Sequence, residues 1–457
     1  MIANLNRVLV VGLAVTGRAV VDAMLRRDID VVAVDDRPTE AARVAAADRG
    51  IELHEAPDAV ELKLLVESVD AVIPSPGVPR HHPVWDIAAQ AGIVVLSEFD
   101  LAASWDDRDI VAITGTNGKT TVTSLVTAML RRSGIEATAA GNVDTPLVEA
   151  IDRLHEPRPD VFVVEASSFR LETVEVFAPR VAVWLNLAPD HLDWHEDLEA
   201  YAEAKARIFR SAEELRAIGV EPVAVVPADD PAIVEHARSS GRTVVTFGRV
   251  VADSAIPDVG WVDGSLWIGD HKLVDQVDMP RRLPHDLDNA AAAAAAAHHM
   301  GAGDDAIAAE LVGFIGLPHR MALVATVDDV DWYDDSKATT PDATLAAVSG
   351  LMDAVLISGG RNKGLDLSVL ARAADRLAAV VAIGEAADLI AEVFEGLVPV
   401  HRASSMSEAI ETARRCSVRG GAVVLSPSCA SFDWYTNYVE RGLDFARLVD
   451  SLSQGPS

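Results

Sequence analysis

Cysteine is almost absent: Cys416 and Cys429 are the only two in 457 residues. Two thiols exclude a disulfide framework and a cysteine-based zinc site, and they fit a reducing cytoplasm. Cations are scarce as well, with 39 Lys and Arg against 70 Asp and Glu, a net charge of −31. That balance excludes a broad basic surface, and with it a general binder of nucleic acid or anionic membrane. No run approaches the roughly 18 consecutive apolar residues of a membrane span, the short alanine stretch at 290–297 aside. The opening MIANLNRVLVVGLAVTG has neither the long apolar core nor the small-residue cleavage site of a secretory signal. The expectation is an acidic, compact, cytoplasmic monomer that neither binds nucleic acid nor inserts into membranes.

With 50% hydrophobic residues the chain is too apolar to be disordered. At roughly 150 residues per domain its length suggests three. Short apolar runs alternate with helical stretches: 7–12, 30–36, 71–75 and 93–97, with a helix over 16–27. A polar linker at 104–109 separates them from runs at 109–115, 161–167 and 181–187, with helices over 119–132 and 198–218. Residues 260–275 read as a hairpin turning at Asp263-Gly264, and the eight alanines at 290–297 as a closely packed helix. Beyond a boundary at Gly316-Leu317-Pro318, runs at 322–327, 354–360, 379–384 and 422–427 suggest another doubly wound sheet.

The strongest local signal is GTNGKT at 115–120, between a strand and a helix. Backbone N–H groups of such a loop, together with the helix N-terminus, can wrap phosphate oxygens. Lys119 would then neutralise phosphates and Thr120 would reach Mg²⁺. Ile113 stands where the full phosphate-loop motif has its first glycine, and an ordinary strand-to-helix turn is the alternative. Glu165 ends the next strand, either as a partner for nucleotide-bound Mg²⁺ or as a surface carboxylate. Asp190, His191, Asp193 and His195 crowd one loop. Zinc, a Mg²⁺ or substrate-phosphate role, and a purely structural loop are all open there, although Pro189 and the lack of a clear helix weigh against zinc. Tyr201 and Lys205 share a helix face, where a lone lysine is ordinarily a solvated charge.

In the first unit Gly12 and Gly17 flank four residues, so the G-x-G-x-x-G of nicotinamide cofactors is missing. The spacing still suits a diphosphate at a helix N-terminus, and Asp35, Asp36 and Arg37 end the next strand, where a ribose or base could be held. In the third unit the loops at 334–339, 359–364 and 426–433 each follow an apolar strand. Two of them carry a lysine suited to a carboxylate or phosphate.

Taken together, GTNGKT (115–120), EASSF (165–169), NLAPDHLDWH (186–195), YAEAK (201–205), LPHR (317–320), DDSKAT (334–339), GGRNKG (359–364) and SPSCASFDWY (426–435) make essentially the whole chain similar to the Mur ligase family. The resemblance implies an α/β fold of three domains: a Rossmann-like UDP-sugar domain over 1–107, a central P-loop ATPase domain over 108–316, and a Rossmann-like amino-acid domain over 317–457. It implies an ATP-dependent amide ligase of peptidoglycan precursor synthesis. The last four motifs favour the member that adds D-glutamate to UDP-N-acetylmuramoyl-L-alanine through an acyl phosphate. They speak against those that add alanine, diaminopimelate or a dipeptide, and against the folylpolyglutamate synthases.

Carried over by motif, Lys119, His191 and Lys205 would be catalytic, with Lys205 carbamylated by CO₂. Thr120 and Glu165 would serve one Mg²⁺, His191 and Lys205 a second. ATP would contact Gly115, Thr116, Asn117, Gly118, Lys119, Thr120, Thr121, Asn289, Arg320 and Asp335. The UDP-sugar would meet Thr16, Asp35, Asp36, Arg37, Ser75, Gly77, Asn142, Ser167 and His191. D-Glutamate would meet Lys337, Thr339, Lys363, Ser431, Phe432 and Tyr438. Asp144 and Thr340 depart from the family's usual Gly and Asn.

Overall fold

The computed structural model describes residues 5–143, 145–153, 157–191, 194–250 and 256–453. Three sheets account for the apolar runs, and the chain divides into two compact units. One comprises Met1–Asp278 with Asp288–Val312, the other Met279–Leu287 with Gly313–Ser457.

The first sheet is fully parallel, in the order Glu52–Glu55, Asp30–Asp35, Arg7–Val11, Ala71–Pro74, Val94–Val95. The order in which strands are laid down reverses between Arg7–Val11 and Ala71–Pro74, which is where open α/β sheets leave a crevice. Both faces of the Arg7–Val11 strand are covered: Val8 and Val10 face one apolar cluster, Leu9 and Val11 another. The sequence reading misses Glu52–Glu55, because this edge strand carries polar, half-exposed side chains and leaves no apolar run. The run at 93–97 shrinks to Val94–Val95 before the helix Glu98–Trp105, which Ser97 and Asp100 start with a capping box.

The second sheet has nine strands. From its centre outward on one side lie Asp109–Thr114, Val161–Glu165 and Ala137–Gly141. On the other lie Val181–Trp184, Val223–Pro227, Thr243–Arg249 and the antiparallel ribbon Val259–Val262, Ser265–Ile268, His271–Asp275. The turn sits at Asp263 and Gly264, both at positive φ as a tight hairpin requires. The eight alanines lie in the helix Pro284–His299, each 0–1% exposed. First and second sheets share one hydrophobic core, in which Val8, Phe99, Phe162 and Trp184 belong to a single cluster.

The helix expected over 198–218 is broken. Leu198–Ala206 is followed by a 3₁₀ turn Arg207–Phe209, an extended Arg210, Ser211 at φ 61°, and a new helix Ala212–Ala217. The break turns Ile208 and Phe209 into the core. The carbonyls it frees on Phe209 and Arg210 each accept a bond from the buried Arg242 guanidinium at 2.9 Å. No Gly or Pro announces it, so periodicity alone runs straight through.

The third sheet runs Ala322–Val327, Val330–Asp334, Ala422–Ser428, Ala354–Gly359, Leu377–Ile383, Val400–Ala403, parallel except for its first strand. Val355 and Ile357 face one core cluster and Leu356 the other, the pattern of a parallel sheet buried on both sides. Among the described residues no helix is long and apolar enough to cross a membrane.

Candidate functional site

The Asp109–Thr114 strand ends in the loop 115–118, which opens the helix Lys119–Arg132. Gly115 (φ 152°) and Gly118 (φ 85°) hold conformations that L side chains avoid, and a Cβ on Gly118 would collide with Asn289 Oδ1. Asn186 pins the loop. Its Oδ1 accepts the N–H groups of Thr116 at 3.0 Å and Asn117 at 2.9 Å, and its Nδ2 donates to Asn117 O at 3.1 Å. Thr121 follows half-buried in the first helical turn. Lys119 Nζ donates to the carbonyls of Gly115 and Thr116, both at 2.9 Å. Thr120 Oγ1 donates to Glu165 Oε2 at 2.7 Å and Asn142 Nδ2 to Glu165 Oε1 at 2.9 Å. Glu165 is thus a buried carboxylate beside the phosphate loop, not a surface charge.

Lys205 is equally far from the solvated lysine of the sequence reading. It is 1% exposed, its Nζ donates to Gly115 O at 2.9 Å, and its ammonium lies 4.3 Å from the Tyr201 ring centroid. Lys119 and Lys205 therefore share one carbonyl acceptor. Burial, then the charge of Lys119, holds the Lys205 amine well below the usual lysine range.

His191 sits at φ 54°, packed edge-on to Phe169, with Nε2 3.4 Å from Asp190 Oδ2. His195 turns away: it is 4% exposed, meets Ser168 Oγ at 3.1 Å, and burial lowers its pKa. Among the described residues no three His, Cys, Asp or Glu side chains converge on a common point, so the zinc alternative gains no support. Leu192, Asp193 and Asp144 lie outside the described residues. The Ser167 Oγ is buried with no hydrogen-bond partner among the described residues.

At the reversal point of the first sheet a cavity of about 690 Å³ is lined by Thr16, Asp35, Asp36, Arg37, Ser75 and Gly77, among others. Gly12 (φ 85°) and Gly17 let strand and helix approach, since a Cβ on Gly17 would strike the Gly12 carbonyl. Ser75 Oγ donates to that carbonyl at 2.6 Å, and Asp35 accepts the N–H groups of Leu13 and Arg37. Arg170, absent from the sequence reading, also lines the cavity. It is 8% exposed, pairs with Glu98 and donates to Thr16 Oγ1 at 3.0 Å. Position after EASSF was its only signal.

In the other unit the loops at 334–339, 426–433 and 359–364 follow three adjacent strands and are tied together. Arg361 and Ala430 exchange backbone bonds, and Ser428 N–H donates to Ala338 O at 2.9 Å. The buried Arg441 donates to Ser336 O at 2.8 Å and to Cys429 O at 3.1 Å, a tie that no motif announces. Lys337 Nζ lies 5.0 Å from the Tyr438 ring centroid and Lys363 Nζ 5.3 Å from that of Phe432. Thr339 is half-buried and Ser431 is 2% exposed. Thr340 caps the helix Pro341–Val348 by position without a side-chain bond. Arg320 follows the His319–Asp334 pair, in which Nδ1 and Oδ2 are 2.6 Å apart.

Burial raises Asp335 to about 7, against the opposing bonds from Ser426 Oγ and Met321 N–H. An acid whose folded pKa exceeds its unfolded value of 3.8 releases its proton earlier when unfolded. Stability is therefore lost as pH rises from about 4 to 7, by at most on the order of 4 kcal/mol. Melting temperatures of the nucleotide-free protein across this range should fall relative to those of Asp335→Asn, and a pH-independent difference would refute the assignment.

Three family models match: "Mur ligase MurD-like, N-terminal domain" over 6–97, "Mur ligase middle domain" over 113–297, and "Mur ligase, glutamate ligase domain" over 319–429. The UDP-N-acetylmuramoylalanine–D-glutamate ligase of Desulfosudis oleivorans is 38% identical, with 98% of this chain and 97% of that protein covered. The ligase of the same name from Frankia casuarinae is 40% identical over 97% and 93%. Among solved structures, the UDP-N-acetylmuramate–alanine ligase of Thermotoga maritima superposes with a TM-score of 0.55 at 18% identity, covering 98% of this chain and all of that one.

Proposed function

The chain belongs to the Mur ligase family, and we propose that it joins D-glutamate to the carboxylate of UDP-N-acetylmuramoyl-L-alanine at the expense of ATP, in the cytoplasm and as a monomer. The observation that carries the reading is the phosphate loop whose Lys119 meets the buried Lys205 on the Gly115 carbonyl. The near full-length identity to D-glutamate ligases supports the same substrates. The matched spans support three functional domains, at 1–107, 108–316 and 317–457.

A carboxylate is a poor electrophile, so the substrate carboxylate takes the γ-phosphoryl group of ATP and ADP leaves. The D-glutamate amine then attacks the acyl carbon, and the tetrahedral species expels phosphate as the amide forms. The protein's part is alignment and charge neutralisation. With the Thr116 and Asn117 N–H groups held by Asn186, it is the helix N-terminus opening at Gly118 that cradles phosphate oxygens, and Lys119 exchanges its carbonyl partners for the β- and γ-phosphates. By family motif, Asn289 in the first unit is assigned to the nucleotide, and so, separately, are Arg320 and Asp335.

The donor set suits Mg²⁺. Thr120 Oγ1 and Glu165 Oε2 stand 2.7 Å apart, close to the spacing of neighbouring oxygens around so small an ion, and the Ser167 Oγ on the loop after Glu165 is left without a hydrogen-bond partner among the described residues. Glu165 and Thr120 would hold one ion, His191 and carbamylated Lys205 the other. Mg²⁺ supplies charge neutralisation of the transferring phosphoryl group. Thr16, Ser75, Gly77, Asn142, Ser167 and His191 orient the nucleotide sugar, with Asp35, Asp36 and Arg37 at its far end. Lys337 and Lys363 take the two carboxylates of D-glutamate, and Thr339, Ser431, Phe432 and Tyr438 complete its site.

Phosphate release from UDP-N-acetylmuramoyl-L-alanine, ATP and Mg²⁺ against an amino-acid panel tests this. D-Glutamate should outpace D-alanine, which lacks the second carboxylate, by about 10⁴-fold in kcat/KM. Preference for another amino acid would move the substrate within the family. No release with any pair of nucleotide sugar and amino acid would sink the ligase reading.

A further inference from the structure

The amino-acid crevice proposed above includes two loops on neighbouring strands, 334–339 and 426–433, and residues outside both loops help to hold their relative setting. Ser428 occupies φ 61°, a left-handed conformation that a side chain disfavours and that persists only where its surroundings fix it. In that conformation its N–H donates to Ala338 O at 2.9 Å, between Lys337 and Thr339, and its Oγ donates to Thr344 Oγ1 at 2.8 Å. Thr344 lies in the helix Pro341–Val348, directly after the lysine-bearing loop. Its own hydroxyl proton goes to Ser426 O at 3.1 Å, and Ser426 Oγ donates onward to Asp335 Oδ2 at 2.8 Å. Ser358 Oγ donates to Pro427 O at 3.0 Å. Ser358, Thr344, Ser426 and Ser428 are all 0% exposed, so each hydroxyl proton is spent inside the cluster.

We infer that Thr344 is a positioning residue of the amino-acid site: its Oγ1 locks Ser428 into the backbone conformation that sets Lys337 and Thr339 against Ser431 and Phe432. Valine has the same shape but accepts no proton, so Thr344→Val leaves the Ser428 hydroxyl in a dry site with only the longer contact to Ser358 Oγ at 3.3 Å among the described residues. The crevice does not collapse with it, because Arg441 independently ties Ser336 to Cys429 at the roots of the same loops. What loosens is the rim, where the substrate carboxylates would sit. The inference rests on the assignment of this crevice to D-glutamate.

Three proteins decide it: wild type, Thr344→Val and Thr344→Ser. In Thr344→Val the KM for D-glutamate should rise about 10- to 100-fold. The KM for the nucleotide sugar should stay within about twofold, and Thr344→Ser should recover most of the loss. Adding Ser428→Ala to Thr344→Val should cost little more, since both remove the same bond. An unchanged KM for D-glutamate, or a fall in kcat alone that serine does not rescue, would overturn the inference. A wild type that prefers another amino acid would instead revise the substrate, and the same comparison is then made with that amino acid. Hydrogen exchange without any substrate is an independent measurement: amides of 336–339 and 428–432 should lose protection in Thr344→Val, and unaltered protection would refute the coupling.

Discussion

Lys205→Ala should lower kcat for ligation by about 10²–10³-fold or more, and millimolar formate or acetate should restore part of it. The reason lies in the surroundings of the amine. Lys205 is 1% exposed, its Nζ donates to the Gly115 carbonyl, and the ammonium of Lys119 donates to the same oxygen. A second cation there is unfavourable, which is why burial and Lys119 hold the amine well below the lysine range. A neutral amine is the form that adds CO₂: the nitrogen lone pair bonds the carbon, a proton leaves to solvent, and a carbamate anion remains. Repulsion of Lys119 would then become attraction, and the proposed carbamate would give the site an anionic oxygen donor for Mg²⁺. In Lys205→Ala a short carboxylic acid can occupy the vacated volume and supply that oxygen. Lys205→Arg fills the volume with a permanent charge, so it should be inactive and beyond rescue. A Lys205→Ala enzyme with undiminished kcat would refute the role.

Glu98→Ala should cost about 3–5 kcal/mol of stability, measured as a shift of the urea midpoint. Glu98 is 4% exposed; one oxygen pairs with Arg170 Nη1 and the other accepts the Val148 N–H at 3.0 Å. Burial pushes its carboxyl upward against the pull of Arg170. Removing the carboxylate leaves a guanidinium buried with, among the described residues, only Thr16 Oγ1 as a side-chain hydrogen-bond acceptor. That orphaned charge, rather than the lost attraction, makes the change severe. Glu98→Met combined with Arg170→Met should therefore recover much of the loss. Arg170 also lines the cavity of the first sheet and holds Thr16. Arg170→Met should thus raise the KM for the nucleotide sugar about tenfold, and a single Glu98 variant as stable as wild type would refute the account.

Much of this was legible in order along the chain. The parallel strands announce themselves because burial on both faces demands unbroken apolar runs, as at 8–11 and 354–357. The phosphate loop is legible because two glycines, a lysine and a threonine must stand in that order for backbone N–H groups to face phosphate. Edge strands such as Glu52–Glu55 escape notice because one face meets water. The break at Arg210-Ser211 escapes because its stabiliser, Arg242, is remote in sequence. Site residues that act on other protein groups were invisible for the same reason. Arg170, Asn186, Arg441 and Thr344 look like any polar residue until their partners, between 12 and 154 positions away in sequence, are folded against them. Lys205 shows the limit most clearly: its spacing to Tyr201 described a surface pair, and only burial turns it into a reactive amine.

The alanine helix carries a different consequence. Helices that line a core ordinarily accept replacement on their outward side every third or fourth position, which is how their period shows in the drift of sequences over time. Residues 290–297 have no outward side, since every methyl is at most 1% exposed. A larger residue at any of the eight would need volume the packing does not leave. This segment should therefore evolve as an unbroken block of small residues, its helical period erased from its own history of substitution.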